Sequence, residues 1–328
     1  MRRTTRGAQA SWAKGIRHGR GSQARYTARV PELPEIEAYV HALRQRVCGR
    51  VLTQLQLFNP FILRSVDPSV EELRGRECVG VSRIGKRLVL HFDGELYAVL
   101  HLMVAGRMHW LQPEAKPHKT RTMLLFRFPD GAAQLTEAGK KRRASLHLVR
   151  GRDALAAHDP GGLEILDCEL TDFAERFRES NHTLKRNLTD PRIFSGIGGA
   201  FADEILLRAR ASPVALSQRV EDDVVARIFE ASCEVLEEWT ARLVAEAQRA
   251  FPDKVTAFRP EMAVHGKFGA SCPQCGDPVQ RIVYAQRETN YCATCQTGGK
   301  VLADRALSRL LGKDWPRTLE ELEAKRRP

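Results

Sequence analysis

Val30-Pro31-Glu32-Leu33-Pro34-Glu35-Ile36-Glu37 is the stretch around which the chain is organised. It opens a helix. Pro34 suits a first helical position, where a missing N–H costs nothing. Glu35 and Glu37 complement the positive end of the helix dipole. Downstream, Ile36, Val40, Leu43 and Val47 fall at i, i+4, i+7 and i+11. They form one apolar stripe that needs a core to face. Taken by itself the stretch is an acidic helix start, which many proteins have.

Towards the amino terminus, residues 1–29 hold seven Arg, one Lys and no acid. They supply two thirds of the net charge of +12 carried by the 328 residues and leave +4 for the rest. The segment has no apolar periodicity and is expected to be disordered. It also lacks the apolar run of a secretory signal. Three readings fit it: a start placed too early, a basic arm that strengthens nonspecific DNA binding, or an organelle transit peptide. A basic chain favours a polyanionic partner. No apolar run approaches the ~20 residues of a membrane span.

The cysteines divide into two groups. Cys48, Cys78, Cys168 and Cys233 stand apart in sequence and read as small buried hydrophobes. Cys272-x2-Cys275-x16-Cys292-x2-Cys295 forms two knuckles. That spacing suits one tetrahedral zinc and argues for a reducing compartment rather than a disulfide framework. A four-thiolate site is closed, so the metal is structural and folds a small β-hairpin.

Between these ends, Val51–Leu57, Leu88–Phe92, Leu96–His101 and Met123–Phe128 read as strands. Turn signals such as Asp93-Gly94 and Pro129-Asp130-Gly131 divide them, which suggests a sandwich or barrel. Thr171 is placed to cap a helix over Asp172–Glu179, and Asn181 a second one holding Leu184, Lys185 and Leu188. Phe194-Ser195-Gly196-Ile197-Gly198-Gly199 then leads into a further helix. Glycines there let backbone N–H groups approach an anion at a helix start. Val225, Ile228, Phe229, Leu236, Trp239 and Leu243 mark a long core helix over 222–250. Beyond residue 300, 301–311 and 315–325 read as short helices without chemistry.

Four motifs in order carry a family resemblance. They are Pro31–Glu37; the basic turn Ser82-Arg83-Ile84-Gly85-Lys86-Arg87; the Leu184-Lys185, Gly-rich and Ala202-Asp203-Glu204-Ile205-Leu206 series; and the cysteines with their flanks. Those flanks are Val264-His265-Gly266-Lys267-Phe268-Gly269 and Gln286-Arg287-Glu288-Thr289. From Pro31 to about Lys300 the chain resembles the formamidopyrimidine-DNA glycosylase/endonuclease VIII family. The resemblance implies an α+β multidomain fold. It comprises a basic extension (1–30), an N-terminal β-sandwich with flanking helices (31–165), a helix–two-turn–helix domain (166–262), a zinc-finger hairpin (263–300) and a tail (301–328).

The function it implies is base-excision repair. A DNA glycosylase with AP lyase activity removes an oxidised base and cuts the strand by β- and δ-elimination. The nitrogen of an amino-terminal proline, here Pro31, forms the Schiff base. Glu32 is the matching acid/base and must be tuned upward to donate near pH 7. Glu35 is a second carboxylate that positions the first, and Lys86 is the active-site lysine. Lys185, the turn of Gly196, Gly198 and Gly199, and Arg287 match phosphate contacts, and Arg83 and Arg87 would add charge. The implied partner is double-stranded DNA with damaged bases or abasic sites. The protein would act as a monomer, away from membranes, in a bacterial-type cytoplasm or nucleoid.

The chain departs from the family pattern at several points. Residues precede Pro31, and a nitrogen in a peptide bond is no nucleophile. The expectation is therefore that Val30 marks the true start, read from a GUG codon and trimmed. Val104 stands where purine-type members carry a wedge methionine, with Met103 beside it. The series Lys140-Lys141-Arg142-Arg143 replaces a Phe-bearing loop, so Arg142 or Arg143 would fill the orphan base's space. Gly199 replaces an Asn, and Phe251–Glu261 lacks the glycines of a mobile lid. Lesion preference is left open between oxidised purines, oxidised pyrimidines and bare abasic sites. The alternative is a non-catalytic, zinc-dependent binder of damaged or structured DNA. A zinc-ribbon protein of transcription or translation leaves Pro31–Glu37 unexplained.

Overall fold

The computed structural model describes residues 30–139, 141–253, 255, 258–284, 287–303, 312 and 315–326. The expectations for residues 1–29, for Lys140 and Gln286, and for a helix through 304–311 fall outside the described residues.

The first helix, α1 (Leu33–Val47), is capped by Glu32 in a reciprocal box with Glu35, and Pro34 lies in its first turn. Nine strands follow: β1 (Arg50–Val51), β2 (Gln54–Leu57), β3 (Glu77–Ile84), β4 (Arg87–Phe92), β5 (Leu96–His101), β6 (Gly106–Leu111), β7 (Thr122–Phe128), β8 (Gly131–Glu137) and β9 (Ser145–Arg150). They form two antiparallel sheets, ordered β1-β3-β4-β5-β9 and β2-β7-β8-β6. The expected sandwich is present. The single strand read over Val51–Leu57 is in fact two. β1 joins the first sheet and β2 the second, because buried Leu52 turns into the core and its N–H goes to the Arg76 carbonyl.

Helices make up the second half: α2 (Arg152–Ala156), α3 (Leu170–Arg178), α4 (Leu184–Thr189), α5 (Gly199–Arg208) and α6 (Asp222–Arg249). The caps of α3 and α4 differ from expectation. Glu169, boxed with Asp172, replaces Thr171, and Thr183 replaces Asn181. The finger hairpin is β10 (Gln280–Tyr284) with β11 (Arg287–Tyr291), followed by α7 (Ala293–Thr297) and, in the tail, α8 (Leu319–Arg326). No helix among the described residues is long and apolar enough to cross a membrane.

Helix α1 joins the two halves. Ile36, Tyr39, Val40, Leu43 and Val47 enter the sandwich core. On its other side Leu33, Ala38 and Ala42 enter the helical core with Ile165, Phe173, Phe201 and Trp239. Two small residues one turn apart let α6 approach α1 closely. Burial of about 25 cal/mol per Å² on both faces makes this helix the common wall of both cores. The four separate cysteines also meet in pairs: Cys48 hydrogen-bonds Cys78, and Cys168 and Cys233 both lie at the Ile165 carbonyl. Burial pushes the Cys78 thiol up to about 12 and the Cys168 thiol up to about 11, which suits inert packing.

Candidate active site and DNA-binding residues

The start of α1 places Pro31, Glu32 and Glu35 together, all three buried. The Glu32 N–H donates to Glu35 Oε2 at 2.6 Å. The Glu32 carboxylate also meets the start of α5. It accepts from the N–H groups of Gly198 (2.7 Å), Ala200 (2.9 Å) and Phe201 (3.1 Å). A helix start is an anion site, and here the anion is internal. The Gly-rich turn therefore has a task inside the fold as well as the phosphate contact expected of Gly196, Gly198 and Gly199. Gly196 and Gly198 are buried, and only Gly199 is partly exposed. A Cβ on Gly198 would lie 2.4 Å from the Glu32 carboxyl. Gly196, at φ +77°, leaves no room for one beside Leu33 and accepts the Leu33 N–H at 2.9 Å.

Burial, and then the charge of Glu32, push the Glu35 carboxyl up to about 8, against the weaker pull of Arg107 and Arg259. Lys86 is at the tip of the β3–β4 hairpin, half-buried, between the register partners Ile84 and Arg87. Burial pulls its ammonium below the ordinary lysine value, while Glu32 and Glu35 pull it back up. Among the described residues its ammonium has no hydrogen bond or ion pair. His101, at the end of β5, is held down to about 4 by burial and then by Arg87 and Lys86, so it is neutral.

The remaining cations separate into bound and available. Arg83 is bound: Glu37 takes its Nε at 2.6 Å, and Glu164 takes both terminal nitrogens at 2.9 and 2.6 Å. Ser195 joins the group through Glu164. Arg87 donates to the His158 carbonyl at 2.7 Å. These two fasten the β3–β4 hairpin to Glu37 of α1 and to residues 158 and 164. Lys185 is also engaged, donating to Asp203 at 2.6 Å and to the Glu288 carbonyl at 2.7 Å, with 13% of its side chain exposed. Arg142, Arg143 and Arg287 are exposed, and Arg142 reaches the Thr120 carbonyl at 2.7 Å.

Asp203 and Glu204 went unassigned in the sequence, yet they dock the finger. Asp203 holds Lys185, His265 Nδ1 (2.8 Å) and the Asn290 N–H (3.2 Å). Burial would raise its carboxyl, but Lys185 and His265 outweigh that and hold it below the usual range. Glu204 accepts the N–H groups of Ala263 (2.8 Å), Val264 (2.9 Å) and His265 (2.8 Å). The available signal was two adjacent acids inside the otherwise apolar run Phe201–Leu207, since buried charges need partners.

The sulfurs of Cys272, Cys275, Cys292 and Cys295 all lie within 4.8 Å of one another. Two pairs measure 4.0 Å (Cys272–Cys295) and 3.4 Å (Cys275–Cys292). Tetrahedral zinc with Zn–S near 2.3 Å needs sulfurs about 3.8 Å apart. The donor set fits one structural zinc held by these four thiolates.

Comparison with known proteins agrees with this arrangement. Residues 30–145 match the family model of the formamidopyrimidine-DNA glycosylase N-terminal domain. Residues 162–244 match the formamidopyrimidine-DNA glycosylase H2TH domain, and 271–298 the zinc finger found in FPG and IleRS. The formamidopyrimidine-DNA glycosylase of Exiguobacterium sibiricum is 30% identical over 279 residues, 81% of this chain and 99% of that protein. That of Thermus thermophilus is 32% identical over 284 residues, 82% and 100% of the two chains. A Lactococcus lactis FPG mutant solved with DNA containing Fapy-dG shares the fold at a TM-score of 0.73 and 24% identity, covering 81% of this chain and all of that one. The chain belongs to the formamidopyrimidine-DNA glycosylase family.

Proposed function

We propose that this protein is a base-excision-repair DNA glycosylase with AP lyase activity, acting as a single chain on duplex DNA that carries damaged bases or abasic sites. Its place of work is the bacterial-type cytoplasm or nucleoid. The observation that carries the reading is the seat of Glu32. A carboxylate directly after Pro31 is gripped by three backbone N–H groups from a helix 166 residues away. That arrangement spends a helix start on orienting one side chain, as catalysis requires and packing does not.

The damaged nucleotide leaves the stack, at a cost of a few kcal/mol that a weakened base pair reduces. Lys86, Arg287 and the exposed arginines hold phosphates. The Pro31 nitrogen, as a free amine, attacks the sugar C1′ and the base departs with a proton. The amine proton is lost, the C1′–O4′ bond breaks as O4′ takes a proton, and the ring-opened iminium so formed acidifies the sugar for β- and then δ-elimination. Glu32 moves protons at the sugar. Glu35, protonated at neutral pH, fixes the Glu32 backbone without adding a second negative charge. The zinc supplies the fold of the hairpin that carries Arg287.

The test is borohydride trapping on duplexes with single lesions, using protein whose intact mass places the free amine at Pro31. A covalent protein–DNA adduct is expected. No adduct, with binding retained, would leave the damaged-DNA binder as the correct reading. The relative yields across oxidised purines, oxidised pyrimidines and abasic sites give the lesion preference.

A further inference from the structure

β6 is the free edge of the four-stranded sheet, and a free edge needs covering. The segment after α6 covers it. Phe251 packs on Tyr39 at 6.1 Å, with the Arg46 guanidinium 5.3 Å from its ring centre. Asp253 takes His109 Nδ1 at 3.0 Å, and the other ring nitrogen of His109 meets Thr136 Oγ1 at 2.8 Å. Val255 is buried in the sandwich core.

Arg107, two residues before His109 on β6, does something further. Its Nε donates to the Val255 carbonyl at 2.7 Å. One terminal nitrogen donates to the carbonyls of Val104 (3.1 Å) and Gly106 (2.6 Å). Val104 lies in the turn between β5 and β6 and is 39% exposed. One planar fork thus ties an exposed apolar turn to the segment that leaves α6. The same charge acts on Glu35, alongside Arg259 and against Glu32. Arg259 is itself held by both oxygens of Glu246 at 2.9 Å.

We propose that Arg107 is a positioning residue of the lyase site, making the 102–106 turn and residues 251–253 and 255 move as one unit against the start of α1. The inference rests on the proposed function. An exposed apolar side chain at a DNA surface meets bases rather than phosphates. Arg107 ties that turn to the segment over β6. A lysine keeps the charge but lacks the fork that spans the three carbonyls.

The test uses the zinc-loaded protein with Arg107→Lys and Arg107→Met, each checked for zinc content and far-UV dichroism. Amide hydrogen exchange without DNA is expected to rise on the order of tenfold in both segments together in Arg107→Met, and by less in Arg107→Lys. Loosening of one segment alone, or of neither, overturns the coupling whether or not the protein is a lyase. Single-turnover cleavage of a lesion duplex is expected to fall about tenfold in both variants. Its alkaline limb is expected to move to higher pH only in Arg107→Met, where Glu35 loses a nearby positive charge. An unmodified protein with a free Pro31 amine that fails to cleave abasic DNA removes the functional reading and leaves the exchange result standing.

Discussion

At the scale of single residues, Glu35 and Glu32 divide the acid–base work by environment. Glu35 titrates near 8 in the folded chain against a usual value of 4.5. Below pH 4.5 both folded and unfolded forms hold its proton. Between 4.5 and 8 only the folded form does, so raising the pH through this window removes stability, on the order of 5 kcal/mol in all. Glu35→Gln keeps an acceptor for the Glu32 N–H and should flatten this dependence. Urea midpoints at pH 5 and pH 8 would converge in the variant and differ in the parent. Lesion cleavage by the parent should decline above pH 8, as a second negative charge appears beside Glu32. Gly198 offers a purely steric probe, since its φ of −124° suits any residue. Gly198→Ala puts a Cβ into the Glu32 carboxyl and should cut the rate of borohydride-trapped adduct by about 100-fold, in line with losing one oriented catalytic group. Unchanged trapping would show that Glu32 needs no such seat.

Elements behave as their local chemistry dictates until tertiary partners intervene. The apolar stripe of α1 was legible because a 3.6-residue period is a local property. The caps of α3 and α4 each lie two residues from the expected position, because Glu169 and Thr183 are both capable of capping and the choice depends on where the preceding chain comes from. Helix α5 is the element whose role grew most. Its first turn holds Glu32, and its Asp203 and Glu204 hold the finger. Asp203→Asn leaves Lys185 and His265 facing a neutral group. Removing one partner of such a buried pair costs about 3–5 kcal/mol. Chemical denaturation should show a loss of that order, and a chelator should strip zinc faster from the variant, since the Asn290 strand is no longer anchored.

For the whole molecule, net charge is a poor guide to the DNA surface. Most of the +12 belongs to residues 1–29, and several cations of the remainder are spent on internal ion pairs. Arg287 is exposed near the tip of the finger hairpin. Arg287→Ala should lower the slope of log binding constant against log salt by about 0.9, the signature of one lost phosphate contact. An unaltered slope would place Arg287 away from DNA. Removing zinc should release the β10–β11 hairpin and, with it, the Lys185 link to Glu288. Duplex affinity should then fall at least ~10-fold while the sandwich keeps its far-UV signal, because the sandwich core is independent of the finger core.

The amino-acid sequence alone determined the opening of α1 at Glu32–Pro34, the stripe that buries it, the sandwich-type spacing of strands and the four zinc thiolates. Each of these depends on periodicity or spacing within a few dozen residues. Only the tertiary structure decided which charges remain available. Lys86 and Arg287 lack internal partners among the described residues, whereas Arg83 and Lys185 are taken up by acids 81 and 18 residues away. It also decided that the end of the Gly-rich turn grips Glu32. A hydrogen bond has no preference for sequence distance, so its partner becomes known only when the chain has folded back on itself.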